Sequence, residues 1–225
     1  MTQNLQATVA QLKESLLVMA SRAEQAAQRA VKALLRRDDA LALQVQEADP
    51  AVDQLQVQVD QLAVELLGRT RAEDDLRLVM VAMKIASELE RVADEATTIA
   101  RQVSQLNKEP PLPQCAAIPP LASLALGMLK EALDAVVRPN PAGARQIIVR
   151  DKAVDSGHKQ LRDELVRYMQ SRPETIARCL HLMVIGKSLE RIGDHAKAVA
   201  EFAVYLHEGQ DVRHAGLAQP AQCPG

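Results

Sequence analysis

A twelve-residue stretch occurs twice in this chain, as LERVADEATTIA at 89–100 and LERIGDHAKAVA at 189–200. Each copy carries two carboxylates four residues apart, Glu90 with Asp94 and Glu190 with Asp194. On a helix these positions share a face, and like charges there cost ~0.2–0.5 kcal/mol. A second acidic pair precedes each: Asp49 with Asp53 in DPAVD, and Asp151 with Asp155 in DKAVD. If the helices carrying the two pairs lie side by side, four carboxylates converge in each copy. Carboxylates brought that close either keep protons, with raised pKa, or hold a multivalent cation. Oxygen donors suit magnesium, calcium, manganese and iron without choosing among them. Residue type and spacing therefore point to a metal site in each half; the competing reading is a solvated acidic face on a structural interaction module.

The neighbouring residues leave alternatives open. Pro50 follows Asp49 directly, and Asp then Pro is also how a helix begins, with Asp as the cap; Asp151 is followed by Lys152 and has no such second role. His158 and His195 either add a nitrogen ligand or lie on the surface, and His181 reads as a core-edge residue. Arg91 and Arg191, beside the glutamates, either support the carboxylates or form surface ion pairs of little worth. No G-x-x-x-x-G-K-[ST] loop, G-x-S-x-G elbow, H-E-x-x-H helix or Glu-x-x-His pair occurs. Asp155 to His158 and Asp211 to His214 have only the last motif's spacing. A metal-dependent enzyme would need an acid, base or nucleophile beside the metal, and no motif supplies one; catalysis is not expected.

The elements that must position the carboxylates are legible from periodicity. Ile85, Leu89, Val92, Ala96, Ile99 and Val103 step by four and three, the spacing of one buried helical stripe. Ile185, Leu189, Ile192, Ala196, Val199 and Ala203 repeat it 100 residues on. DPAVD and DKAVD are offset by 102, as are the fainter ALLRRDDALA at 33–42 and AVVRPNPAGA at 135–144. The missing two residues fall in the connection at Gly68–Glu73, which shortens to Gln170–Pro173. A period this long means domain duplication, since solenoid repeats run to about 20–50 residues. Each copy reads as three helices, over 4–36, 39–68 and 71–107, then 117–138, 140–169 and 173–208. The expected fold is all-α: two tandem three-helix bundles, 1–106 and 121–209, joined by the proline-rich spacer 107–120 and followed by a frayed tail, 210–225.

Composition agrees. Aromatics are 1% of the chain (Tyr168, Tyr205 and Phe202) against 48% hydrophobic residues, so the core must be aliphatic. Such residues favour helices, and so few rings make no platform for stacked bases. With 27 basic and 29 acidic residues the charge nearly balances, and no field holds nucleic acid or an anionic membrane. The N-terminus lacks the order of a signal peptide and no apolar run is long enough to span a bilayer. Cys115, Cys179 and Cys223 form no CxxC. A cytoplasmic protein without membrane insertion is expected.

The paired LERVADEA and LERIGDHA, each closing a three-helix repeat, resemble the PhoU family of accessory regulators of bacterial phosphate uptake. DDLRLVMV at 74–81, DKAVD at 151–155 and GQDVRH at 209–214 extend the likeness over nearly the whole chain. The resemblance implies a cytoplasmic negative regulator of the phosphate-starvation response. Such a protein links the phosphate ABC transporter, through its ATPase subunit, to a sensor histidine kinase, and forms a homodimer. It also implies metal clusters of iron, zinc, manganese or magnesium, one held by Asp49, Asp53, Glu90 and Asp94, the other by Asp151, Asp155, Glu190 and Asp194. Ala93 and Glu95 depart from the commonest pattern where the second copy has Gly193 and His195, which makes the second site the better match.

Overall fold

The computed structural model describes residues 2–213. Seven α-helices follow one another: α1 (Thr2–Arg36), α2 (Asp39–Ala48), α3 (Pro50–Leu67), α4 (Glu73–Leu106), α5 (Ile118–Val137), α6 (Pro141–Ser171) and α7 (Ile176–Glu208). Short 3-10 turns at Pro113–Ala117 and Pro173–Thr175 lead into α5 and α7. No strand occurs among the described residues.

The helix expected over 39–68 is divided at Asp49. Pro50 has no amide hydrogen to give to the turn before it, so the ladder loses a bond there and α2 ends. Asp49 keeps helical dihedrals (φ −55°, ψ −49°), and its carbonyl accepts from the Val52 amide at 2.8 Å. The next proline pair has the opposite effect. Pro119 and Pro120 lie in the first turn of α5, where amide donors have no partner anyway, so the helix starts inside the expected spacer.

The two predicted stripes form the centre of the molecule. All six stripe residues of α4 and all six of α7 are buried. The two helices pack against each other; α1 and α3 flank α4, α5 and α6 flank α7, and α1 also meets α5. Polar pairs along the seam run in opposite numerical order: Glu88 with His195, Glu95 with Arg191 and Gln102 with His181. The helices are therefore antiparallel, and the two bundles share one hydrophobic core. Small side chains make the close approach possible; Ala23, Ala27, Ala30 and Ala33 line the buried side of α1.

The proline-rich segment is fastened at both ends. The Arg37 guanidinium donates to the carbonyls of Leu106 (3.4 Å), Asn107 (2.9 Å) and Glu109 (2.7 Å), capping α4. Arg178 donates to the Pro110 carbonyl at 2.9 Å and pairs with Glu109 at 3.0 Å, while Leu112 is buried. At the other terminus Gly209 ends α7 in the left-handed conformation (φ 69°), as helix C-caps favour. The start of the expected frayed tail is ordered, with Arg213 stacked 5.5 Å from the Phe202 ring; its remainder, 214–225, lies outside the described residues.

Arg37→Ala removes three charge-assisted bonds to carbonyls at and just beyond the end of α4. It is expected to lower stability by about 1–2 kcal/mol and to make the 107–112 segment the first site of limited proteolysis.

Candidate metal centre

Each bundle sets its long middle helix against its last: α3 on α4 and α6 on α7. The four acidic pairs lie on these helices, with Asp49 immediately before α3, and their charges act on one another. In the first half, Glu90 is held above the ordinary carboxylate range, first by burial, then by Asp94, Asp53 and Asp49. Asp94 is raised in the same way, by burial and then by Asp49 and Asp53. In the second half, burial again leads in raising Asp194, followed by Glu190, Asp151 and Asp155. The carboxylates of each half thus lie within one another's fields.

The second is the tighter. Ligand oxygens of Asp151, Asp155 and Asp194 lie within 4.8 Å of one another. Carboxylates bind hard cations at about 2.0–2.6 Å, so oxygens on opposite sides of an ion stand roughly 4–5 Å apart. These three are the ones among the described residues that meet this spacing. Gly193 explains part of the difference. A Cβ there would come within 3.2 Å of the Val154 side chain, and Val154 lies between Asp151 and Asp155. The glycine lets α6 lie close to α7 at the level of the carboxylates. In the first half Ala93 puts a methyl at the equivalent place, and Ala93, Val52 and Asp49 line a groove of about 400 Å³ beside α1.

Asp151 shows what the second cluster lacks. It is 4% exposed; its Oδ2 accepts from the Lys197 ammonium at 2.7 Å, while its Oδ1 is buried with no partner. An ionised oxygen in that state is costly unless a cation or donor reaches it. The remaining member, Glu190, is held through its Oε2 by Lys187, one turn earlier on α7.

The other expected residues divide. Asp49 makes no side-chain cap bond, so its carboxylate is not used at the start of α3 and stays with its quartet. His158 is half-buried on α6 in the fields of Glu190 and Asp155; burial holds its pKa below the ordinary imidazole value. His181 sits at the core edge with its Nδ1 2.7 Å from Gln102. Arg191 and His195 require a correction. They lie on the side of α7 that faces α4 rather than α6, so they reach across the seam instead of supporting the carboxylates. Arg191 donates to Glu95 at 3.0 Å, and His195 Nδ1 lies 2.7 Å from Glu88. Arg91 is exposed and acts on Glu90 through its charge. Sequence reasoning missed Lys187 and Lys197. The signal was present, because both interrupt the 100-residue repeat, where the first copy has Ser87 and Thr97.

The raised carboxylates fix a pH dependence. A folded-state pKa above the unfolded value means the fold binds the proton more tightly than the open chain. Metal-free protein should therefore lose stability as pH rises from the ordinary carboxylate range through the raised values. Asp94→Asn removes one repelling charge on an exposed, screened side chain. Thermal melts in chelator should show it roughly 1–2 °C above wild type at pH 7 and level with it near pH 4.

The PhoU domain family matches this chain twice, over residues 16–103 and 118–203. The phosphate-specific transport system accessory protein PhoU homologue of Pseudomonas aeruginosa is 38% identical over 218 residues, covering 96% of this chain and 90% of that protein. The accessory protein PhoU of Escherichia coli is 32% identical over 206 residues, covering 91% and 86%. Among solved structures, PhoU from P. aeruginosa superposes with a TM-score of 0.88 at 37% identity, covering 91% of this chain and 99% of that one. The phosphate transport system regulatory protein PhoU from Streptococcus pneumoniae gives 0.83 at 27% identity, covering 92% and 99%. With both halves matched and the fold shared over 91% of its length, this chain belongs to the PhoU family.

Proposed function

We propose that this protein is a cytoplasmic negative regulator of the phosphate-starvation response. It acts by contact, coupling the phosphate-specific ABC transporter, at its ATPase subunit, to a sensor histidine kinase, and works as a homodimer. The observation that carries this reading is the duplicated family match over nearly the whole chain, with the carboxylate pairs in register in both copies. Relatives named as accessory or regulatory proteins of phosphate transport support it. Consistent with a partner of membrane proteins rather than a membrane protein, no helix among the described residues is long and apolar enough to cross a bilayer.

Metal binding is part of the proposal. Asp151, Asp155 and Asp194, with Glu190 beside them, would hold one ion or cluster, and Asp49, Asp53, Glu90 and Asp94 the other. The buried, unpartnered Oδ1 of Asp151 fits a cation ligand. An all-oxygen donor set suits hard ions such as magnesium, manganese or iron better than zinc. A bound ion would neutralise the repulsion within each quartet and fix the middle helix against the last. The second reading, a metal-free helical adaptor, is favoured by the lysines already paired with Asp151 and Glu190.

Deleting the gene should raise alkaline phosphatase and transporter expression several-fold in phosphate-rich medium, and the wild-type chain should restore repression; unchanged expression would refute the regulatory reading. For the metal, elemental analysis of protein purified without chelator should find bound ion that Asp155→Asn with Asp194→Asn lowers. A ligand held only by the folded state adds about 2.7 kcal/mol at a hundredfold excess over Kd. The double variant should therefore melt below wild type when metal is present. Wild-type metal content with an equal or higher Tm would leave the metal-free adaptor standing.

A further inference from the structure

The groove beside α1 has a chemistry that the carboxylate clusters do not explain. Its volume is about 400 Å³ and its floor is apolar, formed by Val45, Val52 and Ala93 with Ala26 of α1. The α1 wall carries Arg22, Gln25 and Arg29, at steps of three and four that put them on one helical face. The far wall is the junction of α2 and α3, at Ala48 and Asp49. Both arginines are exposed, and neither makes a hydrogen bond or an ion pair among the described residues. Gln25 donates to Ser21 Oγ at 3.0 Å, which leaves the Ser21 hydroxyl hydrogen to give. The cations that act most on Glu90 and Asp94 are Arg91 and Arg101, so Arg22 and Arg29 are not counter-ions of that quartet.

The second half has the same positions and closes them. At the offset of 102, Glu131 stands for Arg29 and Arg150 for Ala48. The Arg150 guanidinium donates to Glu131 at 2.8 Å, tying α6 to α5 across the place where the first half has its groove. Leu124 and Gly127 stand for Arg22 and Gln25, so the polar wall is gone as well. In the first half the small Ala48 leaves the space open. The one acid lining it, Asp49, pairs with neither guanidinium.

We propose that this groove binds a nucleoside monophosphate, with its phosphate held by Arg22 and Arg29 and its base laid on the apolar floor. The helical rise sets the two arginines about 10 Å apart along α1, within reach of one anion for two side chains of that length. Guanidinium forks match phosphate oxygens in pairs, and two positive charges balance the roughly −2 charge of a phosphate monoester at pH 7. A bare anion would leave the apolar floor in water, whereas an organic body covers it. Asp49, opposite the arginines, accepts hydrogen bonds from the hydroxyl or amino groups at the far end of such a body. A mainly apolar cleft of this size with a few converging polar groups is the usual form of a small-molecule site. The inference does not rest on the metal reading, with which it shares only Asp49.

Isothermal titration of the full-length protein with the four ribonucleoside 5′-monophosphates tests it. Chelator is kept present, so that no divalent ion can carry a phosphate to the carboxylates. At least one nucleotide should bind in one-to-one ratio, with the matching nucleoside and inorganic phosphate each weaker by about tenfold or more. Arg22→Gln with Arg29→Gln should weaken the nucleotide by about the same factor, with a Tm near wild type because both side chains are exposed and unpaired. Arg29→Glu with Ala48→Arg gives the first half the bridge of the second and should remove binding. Should that variant fold poorly, Arg29→Lys, which keeps the charge without the fork, should still weaken the nucleotide. Equal affinity for inorganic phosphate and nucleotide, unchanged affinity in the arginine variants, or no binding of any of the four overturns the proposal. Each of those results leaves the regulatory and metal readings as they stand.

Discussion

The contact between α4 and α7 is the constraint on which the rest depends. Two helices of 34 and 33 residues lie antiparallel, with aliphatic and alanine side chains between them. Every other helix can be placed by asking which side of this pair it covers. Because aromatic rings are nearly absent, no single large side chain fills the interior. Density comes from many small contacts, each worth little and together the main stabilising factor. That kind of packing tolerates no gaps, which is why alanines and the two glycines of α7 occur where helices come closest.

The same contact shapes the chemistry. With α4 and α7 fixed against each other, each has one edge turned toward its partner and the opposite edge toward α3 or α6. The carboxylate pairs lie on the latter edge, and the bridging residues Glu88, Glu95, Arg191 and His195 on the former. A helix that displayed both sets on one edge could not serve as both an ion site and an interhelical joint. Separation by angle around the helix keeps the repelling quartets apart from the ion pairs that join the two bundles.

Much of this was legible in the chain. The repeated stripes needed only spacing to identify, because a buried helical face must repeat every three or four residues. The register of the acidic pairs was legible too, since duplication preserves it. The direction in which Arg191 and His195 point was not. Neighbours in sequence on a helix are 100° apart around its axis, so adjacency to Glu190 and Asp194 says little about sharing their partner. The Asp49–Pro50 dipeptide left two roles open, and α3 begins there without a side-chain cap bond from Asp49. Lys197 stands out where it interrupts the repeat, but its pairing with Asp151 was hidden, because the two are 46 residues apart in sequence and only the packing of α6 on α7 joins them. The fastening of the proline-rich segment by Arg37 and Arg178 had no local signal at all.

The polar pairs across the seam have a bearing on how such a molecule holds together after duplication. A freshly doubled chain would have two equivalent seam helices, each able to pair with a copy of itself in another molecule. Here that equivalence has been lost. Pairing α4 antiparallel with a second α4 in the same register would set Glu88 against Glu95, two acids at a partly dry joint. Pairing α7 with α7 would set Arg191 against His195, with no acid to accept from either. Only the mixed pair gives each of these groups an acidic partner. The sequence divergence of the halves therefore acts as a recognition code inside a single polypeptide, disfavouring exchange of bundles between chains by leaving the wrong partners mismatched.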